Sequence, residues 1–157
     1  MRLYFLRHGL ADWPDWDPAR DAERPLSRPG VEKMQAEARA MEALRVRPDA
    51  ILSSPLARAR QTADIMANRL RVKVIEEPLL APGFDIRRLP RVLAGQGGGG
   101  DLMLVGHEPD FSATIGALVG GAAVVMKKGG LARVDLAAPD RLRGELVWLL
   151  PPRALVG

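Results

Sequence analysis

The sequence predicts an α/β fold built on a largely parallel sheet, and two observations carry that prediction. Short apolar segments rich in β-forming residues alternate along the chain with segments whose apolar residues recur at helical spacing. Glycine and proline mark most of the boundaries between these segments. The 157 residues fit one ordinary domain, which we expect to span residues 1–157.

The N-terminal part begins with a predicted buried strand. The segment from Arg2 to Leu6 is apolar and stops at Arg7-His8-Gly9, as a parallel strand does where it enters a turn. Residues 10–26 follow as a polar loop, and loops of that length in a compact domain are typically functional or mobile. Ser27 and Pro29 then open a helix.

The rest of the chain repeats the alternation of strand and helix. Ser54 is predicted to be the N-cap, and Pro55 the first residue, of a helix that runs to about Leu70. The glycine run from Gln96 to Gly100 lacks the Lys-Ser/Thr pair of a phosphate-binding loop, so we predict a linker turn there. The last two strands should form an antiparallel edge of the sheet. Further strands are predicted at 49–53, 72–75, 102–105, 131–136 and 145–150, and further helices at 86–93 and 109–119.

Composition and charge exclude several classes of protein. The chain has no cysteine, which removes disulfide frameworks, thiolate metal ligands and a cysteine nucleophile. The formal net charge is +4, and the arginines are scattered among acids without interleaved aromatic residues, so we expect no nucleic-acid partner. The longest apolar run is too short to cross ~30 Å of hydrocarbon, and no signal sequence is recognisable. We therefore expect a cytoplasmic protein without a membrane partner.

The two histidines of the chain are the first candidate functional residues. His8 and His107 each stand beside a glycine at the point where an apolar strand ends. Because open parallel sheets bind ligands at the carboxyl ends of their strands, we expect the two imidazoles to share one crevice. The alternative is that each is a hydrogen-bonded structural histidine; their matching positions favour function.

Arg58 is the next candidate, because it follows the predicted helix N-terminus at Ser54 by four residues. Free backbone amides and the helix dipole favour anions at such an end. With Arg7 it would form a pocket for a tetrahedral dianion, which arginine binds with two parallel hydrogen bonds. The alternative is a surface arginine paired with Asp49 or Asp64.

Three motifs occur together in an order that resembles the histidine phosphatase superfamily. They are Arg7-His8-Gly9, the segment from Ser54 to Ala63 that contains Arg58, and Gly106-His107-Glu108-Pro109. The segment Arg24-Pro25-Leu26-Ser27 resembles the element before the first helix of the small bacterial phosphohistidine phosphatases, the SixA-like branch. The resemblance runs from Met1 to about Trp148 and implies a three-layer α/β/α fold of the phosphoglycerate-mutase type.

The resemblance also implies a role for each candidate residue. His8 would accept the phosphoryl group, and Arg7, Arg58 and a protonated His107 would hold it. Further phosphate or substrate contacts are expected from Gly9, Arg24 and Ser54. A neutral imidazole is a competent nucleophile near pH 7, since its unperturbed pKa is ~6.5.

One position departs from the pattern of the larger superfamily members. They carry a glutamate acid in the loop after the third strand, where this chain has Ala81. The small phosphohistidine phosphatases likewise lack that glutamate. Candidate substitutes are Asp85, Glu108 and Asp12. In the long loop, Trp13 and Trp16 would either cover the pocket or pack against the first helix.

These observations predict a phosphatase that works through a phosphohistidine intermediate on His8, without a metal or another cofactor. We expect its substrate to be a phosphohistidine-bearing protein, because imidazole leaves without help from an acid. The alternatives are a phosphatase of small phosphomonoesters such as sugar phosphates, and an inactive module that only recognises phosphate. The sequence does not indicate an oligomeric state.

Overall fold

In the computed structural model, which describes residues 1–96 and 100–156, six strands form one mixed sheet. Its order is β3-β2-β4-β1-β5-β6. The first four strands along this order are parallel, whereas β5 runs antiparallel to β1 and β6 antiparallel to β5. The predicted α/β class and the antiparallel edge are therefore confirmed. The strands are β1 (Arg2–Arg7), β2 (Ala50–Ser53), β3 (Lys73–Glu76), β4 (Leu102–Gly106), β5 (Leu131–Leu136) and β6 (Gly144–Leu150).

Helices cover both faces of the sheet because successive strand side chains point to opposite sides. In β1, Leu3 and Phe5 pack into one apolar core with the third and fourth helices, while Tyr4 and Leu6 pack into the other with the first, second and fifth. The helices are α1 (Arg28–Ala43), α2 (Ala57–Leu70), α3 (Leu89–Ala94), α4 (Asp110–Leu118) and α5 (Pro152–Val156). Three short 3₁₀ helices occupy Pro18–Glu23, Pro78–Leu80 and Ile86–Arg88.

The start of α2 differs from the prediction. We expected Ser54 to cap a helix beginning at Pro55, but the helix begins at Ala57, and its N-cap Leu56 makes no side-chain capping bond. The Ser54 hydroxyl instead lies 2.7 Å from Nε2 of His107, besides accepting a bond from the Leu56 amide. The local sequence predicts that the Ser54 hydroxyl caps α2. In the structure this hydroxyl instead bonds His107, which follows the neighbouring strand β4.

Gly97, Gly98 and Gly99 of the predicted linker turn lie outside the described residues. Across residues 1–96 and 100–156, none of the helices has the length and apolar character needed to span a bilayer.

Candidate active site

The two histidines lie side by side because β1 and β4 are adjacent and in register. Arg7 is paired with Gly106, so His8 and His107 each stand one residue beyond the last pair. The His8 amide continues the ladder by donating to the Gly106 carbonyl at 3.1 Å. The two ring centroids are 5.3 Å apart. This register brings both imidazoles into one crevice, as we expected from the sequence.

The protonation of His8 is fixed by a hydrogen bond to the main chain. Its Nδ1 lies 2.7 Å from the Gly9 carbonyl oxygen. A carbonyl can only accept, so Nδ1 carries the proton and Nε2 keeps its lone pair. Burial, together with the nearby His107, Arg58 and Arg7, lowers the His8 pKa to about 3 against the opposing effect of the Gly9 bond. At neutral pH His8 is therefore an uncharged imidazole with a free Nε2.

His107 is held from the other side by the end of β2. Its Nε2 lies 2.7 Å from the Ser54 hydroxyl, and its ring is only 4% exposed. Burial and then the charge of Arg58 lower its pKa to about 4. We expected a protonated His107, but in the protein without a bound anion this ring is neutral at pH 7. A dianion next to the ring would favour the charged form and raise that pKa.

A cavity of about 330 Å³ opens where these elements meet. Four cationic side chains and two carboxylates line it, so once both histidines are neutral the lining is net positive. Such a lining suits a phosphate dianion. The lining residues are Arg7, His8, Asp21, Arg24, Arg58, Pro82, His107, Glu108 and Lys128.

Arg7 and Arg58 are held in place by hydrogen bonds that leave part of each guanidinium free to bind a ligand. Arg7 donates from one terminal nitrogen to the Met126 carbonyl at 2.9 Å. Arg58 donates from both terminal nitrogens to Asp21, at 2.9 Å to its carbonyl and 3.0 Å to its carboxylate. Nε of each arginine and Nδ1 of His107 are buried without a hydrogen-bond partner in the described part of the chain. Such nitrogens are costly unless a ligand or water forms a hydrogen bond with them.

Asp21 is a site residue that the sequence analysis missed. It lies in the 3₁₀ helix Pro18–Glu23, and its carboxylate joins Arg58 to Arg24, whose Nε donates to Oδ1 at 3.2 Å. Burial opposes ionisation, but the hydrogen bonds from these arginines lower the pKa of Asp21 below its usual range. The alternative in which Arg58 is a surface residue paired with Asp49 or Asp64 is wrong, since Arg58 is 6% exposed and pairs with Asp21. An aspartate in a loop with many aspartates carries no local signal of this role.

Two residues expected to contact phosphate have other partners. The Gly9 amide donates to Oγ1 of Thr62 at 3.1 Å, and a Cβ at this position would come within 2.6 Å of Met34. Ser54 is fully buried and its hydroxyl is bonded to His107. Neither residue is part of the cavity lining, so both support the side chains that are.

The three candidate acids lie in different environments. Only Glu108 lines the cavity, and its carboxylate accepts hydrogen bonds from the amide and hydroxyl of Ser112. Asp85 is outside the lining, and a hydrogen bond from Arg87 lowers its pKa. Asp12 pairs with Lys128 at 2.8 Å, and this bond lowers its pKa. Two of the three are therefore poor proton donors at neutral pH.

Trp13 and Trp16 line a second cleft beside the cavity. This cleft has a volume of about 450 Å³ and shares Asp21 and Arg24 with the cavity. Neither tryptophan is part of the cavity lining itself.

Within residues 1–96 and 100–156, histidine and carboxylate side chains form no group of three that could hold a metal ion.

Comparison with known proteins decides the family. Residues 3–81 match the model of the histidine phosphatase superfamily, branch 1. An uncharacterized protein of Picosynechococcus sp. is 33% identical over 96% of this chain and 100% of its own length. The chain belongs to the histidine phosphatase superfamily. As a member of that superfamily it is a phosphatase that hydrolyses phosphate esters.

Solved structures place this histidine phosphatase in the SixA-like branch. A protein of Agrobacterium tumefaciens assigned as a phosphohistidine phosphatase SixA is 29% identical, with a TM-score of 0.80 over 96% of this chain and 97% of that one. The protein histidine phosphatase SixA bound to tungstate shares the fold at 24% identity, with a TM-score of 0.83 over 98% of each chain. A mycobacterial glucosyl-3-phosphoglycerate phosphatase shares it at 22% identity, with a TM-score of 0.70 over 92% of this chain and 96% of that one.

Proposed function

We propose that this phosphatase removes phosphoryl groups from phosphohistidine in proteins, without a metal, through a phosphohistidine intermediate on His8. The observation that carries the proposal is the fixed tautomer of His8, which leaves a nucleophilic Nε2 in a net-positive cavity. The tungstate bound to SixA, an oxyanion like phosphate, supports the assignment of this cavity to phosphate.

In the first step the lone pair of His8 Nε2 attacks phosphorus, and the bond from phosphorus to the leaving nitrogen breaks with its electron pair passing to that nitrogen. The leaving imidazole is protonated on its other ring nitrogen, so it departs as a neutral molecule. Arg7 and Arg58 offer donors to the equatorial oxygens, where charge is spread in phosphoryl transfer. In the second step water attacks phosphorus, the P–N bond returns its electrons to Nε2, and inorganic phosphate leaves. The Gly9 carbonyl keeps the proton on Nδ1 throughout and so restores the starting tautomer.

The expected preference of the enzyme for phosphohistidine over alkyl phosphates follows from which acidic side chains line the cavity. Pro82 lines the cavity next to Ala81, so the loop that carries an acid in larger relatives brings no carboxyl group here. An alkoxide needs a proton from a positioned acid, because its conjugate acid has a pKa near ~15.7, whereas imidazole has a pKa of ~6.5. General acid catalysis is worth ~10²–10⁴-fold, so alkyl phosphates should suffer by about that factor.

A phosphatase of small phosphomonoesters is the second candidate, and one observation favours it. Glu108 lines the cavity and could supply the proton that an alkoxide requires. The glucosyl-3-phosphoglycerate phosphatase with the same fold shows that this architecture accommodates a small phosphorylated molecule in another protein.

Turnover of a phosphohistidine protein, an aryl phosphate and an alkyl phosphate tests both candidates. We expect kcat/KM to fall steeply towards the alkyl ester, and Glu108→Gln to leave the order unchanged. Asp85→Asn is the matched control, because Asp85 lies outside the cavity lining. Equal rates on all three substrates, together with a selective loss on the alkyl ester in Glu108→Gln, would favour the small-molecule function.

The covalent step has its own test. His8→Ala should fold normally and lose turnover, and a rapidly quenched wild-type reaction should carry acid-labile phosphate on His8. Label found only on His107 would reverse the two roles. Activity should be unchanged by chelators, and dependence on an added divalent cation would refute the metal-free mechanism.

A further inference from the structure

Two tryptophans form a rigid aromatic surface at the mouth of the phosphate cavity. Trp13 donates from Nε1 to the Pro25 carbonyl and Trp16 from Nε1 to the Arg20 carbonyl, each at 2.9 Å. Their ring centroids are 6.2 Å apart, with planes inclined at 48°. The indoles thus have fixed orientations although Trp13 is 43% exposed. Fixed, exposed aromatic rings are typical of binding surfaces, since they lose little entropy when a ligand is bound.

The aromatic cleft is continuous with the proposed phosphate site. Asp21 and Arg24 line both spaces, and Asp12, which lines the cleft, pairs with Lys128, which lines the cavity. A substrate whose phosphoryl group reaches His8 can therefore place a neighbouring group in this cleft. The cleft adds about 450 Å³ to the cavity of about 330 Å³, which provides room for a second side chain.

The charge of the segment around the aromatic cleft favours a cation as the group that binds there. Residues 10–24, which include the whole lining of the cleft, carry five acids and two basic residues, Arg20 and Arg24. Asp15 has no ion-pair partner within the described residues, and Asp17 only accepts from the backbone amide of Ala19. The guanidinium of Arg20 already lies 6.0 Å from the centre of the Trp16 ring, which is within cation–π range. The surroundings of these indoles therefore suit a positive group and repel an acidic one.

We propose that the cleft lined by Trp13 and Trp16 is a subsite for a lysine or arginine side chain that flanks the phosphorylated residue of a polypeptide substrate. This inference rests on the proposed function and adds the sequence context that the enzyme selects. The phosphoryl group is held by the cationic cavity, and the flanking cation is held by the acidic, aromatic cleft beside it. The two neighbouring spaces thereby recognise a pair of opposite charges on one substrate.

Three phosphohistidine peptides test the subsite, with lysine, norleucine or glutamate next to the phosphorylated residue. Norleucine matches the length of lysine without its charge. A cation–π contact of ordinary strength predicts a kcat/KM about 2- to 30-fold higher for the lysine peptide than for the norleucine peptide, and lower still for glutamate. Trp13→Leu and Trp16→Leu should abolish this preference, while the rate with the phosphoramidate ion, which has no flanking group, stays unchanged.

The outcomes separate the subsite from the function on which it rests. Equal kcat/KM for all three peptides, or a lysine preference that survives in both tryptophan variants, would overturn the subsite while leaving phosphohistidine hydrolysis intact. Loss of the preference together with loss of phosphoramidate turnover would show a general structural role and also overturn it. Failure to hydrolyse any of the peptides, with rapid hydrolysis of alkyl phosphates, would overturn the proposed function and the subsite with it.

Discussion

The imidazoles of His8 and His107 are both buried, and both lose basicity because water cannot solvate their charged forms. Their pKa values of about 3 and about 4 lie below the ~6.5 of an unfolded histidine. Between pH 3–4 and about pH 6.5 the unfolded chain therefore binds more protons at these two histidines than the folded chain does. The two rings therefore weaken the fold as pH falls from about 6.5 towards 3–4, and have no such effect above pH 6.5.

Both histidines should titrate below pH 5 in the protein without phosphate. The chain has only two histidines, so side-chain NMR signals followed against pH give each value directly. Adding vanadate should raise the pKa of His107, since the anion stabilises its charged form. His107→Gln assigns the two signals. A ring that titrates near 6.5 in the free protein would contradict this account of burial.

Glu37 is a buried acid that the proposed mechanism does not use. It is 1% exposed, its Oε2 has no partner among the described residues, and burial raises its pKa to about 8. It lies against Gly129, whose amide donates to the carbonyls of Arg7 and His8. A charge at Glu37 would thus develop behind the turn that supports the active-site end of β1.

Glu37→Gln should stabilise the protein more at pH 8 than at pH 5. The unfolded chain loses this proton near pH 4.5 and the folded chain near pH 8, so wild-type stability falls across that window. The difference should amount to a few kcal/mol, measured as the free energy of unfolding in urea at both pH values. Glu32→Gln on the same helix is the control, because its side chain is 66% exposed. An equal effect of Glu37→Gln at the two pH values would count against a buried neutral carboxyl.

Among the elements, α2 is tied to the end of β1 through Thr62. Its hydroxyl accepts from the Gly9 amide at 3.1 Å and donates to the Arg58 carbonyl at 2.8 Å. Through this one side chain the helix that carries Arg58 positions the loop that carries His8. The link explains why Gly9, expected at the phosphate, is instead part of the framework.

Thr62→Val should destabilise the fold by ~1–3 kcal/mol, because it leaves the buried Gly9 amide without an acceptor. It should also lower kcat by moving His8 relative to Arg58. Thr62→Ser keeps the hydroxyl and should restore most of both quantities, as measured by urea unfolding and steady-state turnover. Loss of stability in the serine variant equal to that in the valine variant would show that the methyl group matters, rather than the hydrogen bonds.

The sequence predicts most elements because their signals are local. The apolar runs that became β1 and β4 and the Ser27-Pro29 start of α1 need only neighbouring residues to be recognised. The start of α2 was misplaced because the Ser54 hydroxyl bonds His107, a contact that exists only after β2 and β4 pair. Asp21 was missed for the same reason, since its link to Arg58 joins two distant segments of the chain.

For the whole molecule, a bound oxyanion should stabilise the folded state by linking several elements around the end of the sheet. The cavity is lined from the ends of β1 and β4, from α2, from the long loop and from the turn before β5. Vanadate or phosphate at 100 times its Kd should add ~2.7 kcal/mol to stability and raise Tm accordingly. Arg58→Gln should reduce this shift at the same concentration. A rise of equal size in that variant would place the anion elsewhere.

The central position of β1 also has a consequence for how the protein is made. β1 pairs with β4 and β5, which follow it in the chain and are therefore synthesised later. Its apolar residues Leu3 to Leu6 must therefore remain without their partners while the intervening chain is translated, and pairing over such a distance is slow. A nascent chain that ends before β4 contains His8 but not His107. Catalytic competence thus arises only at the end of folding, and recovery of activity during refolding should coincide with closure of the sheet.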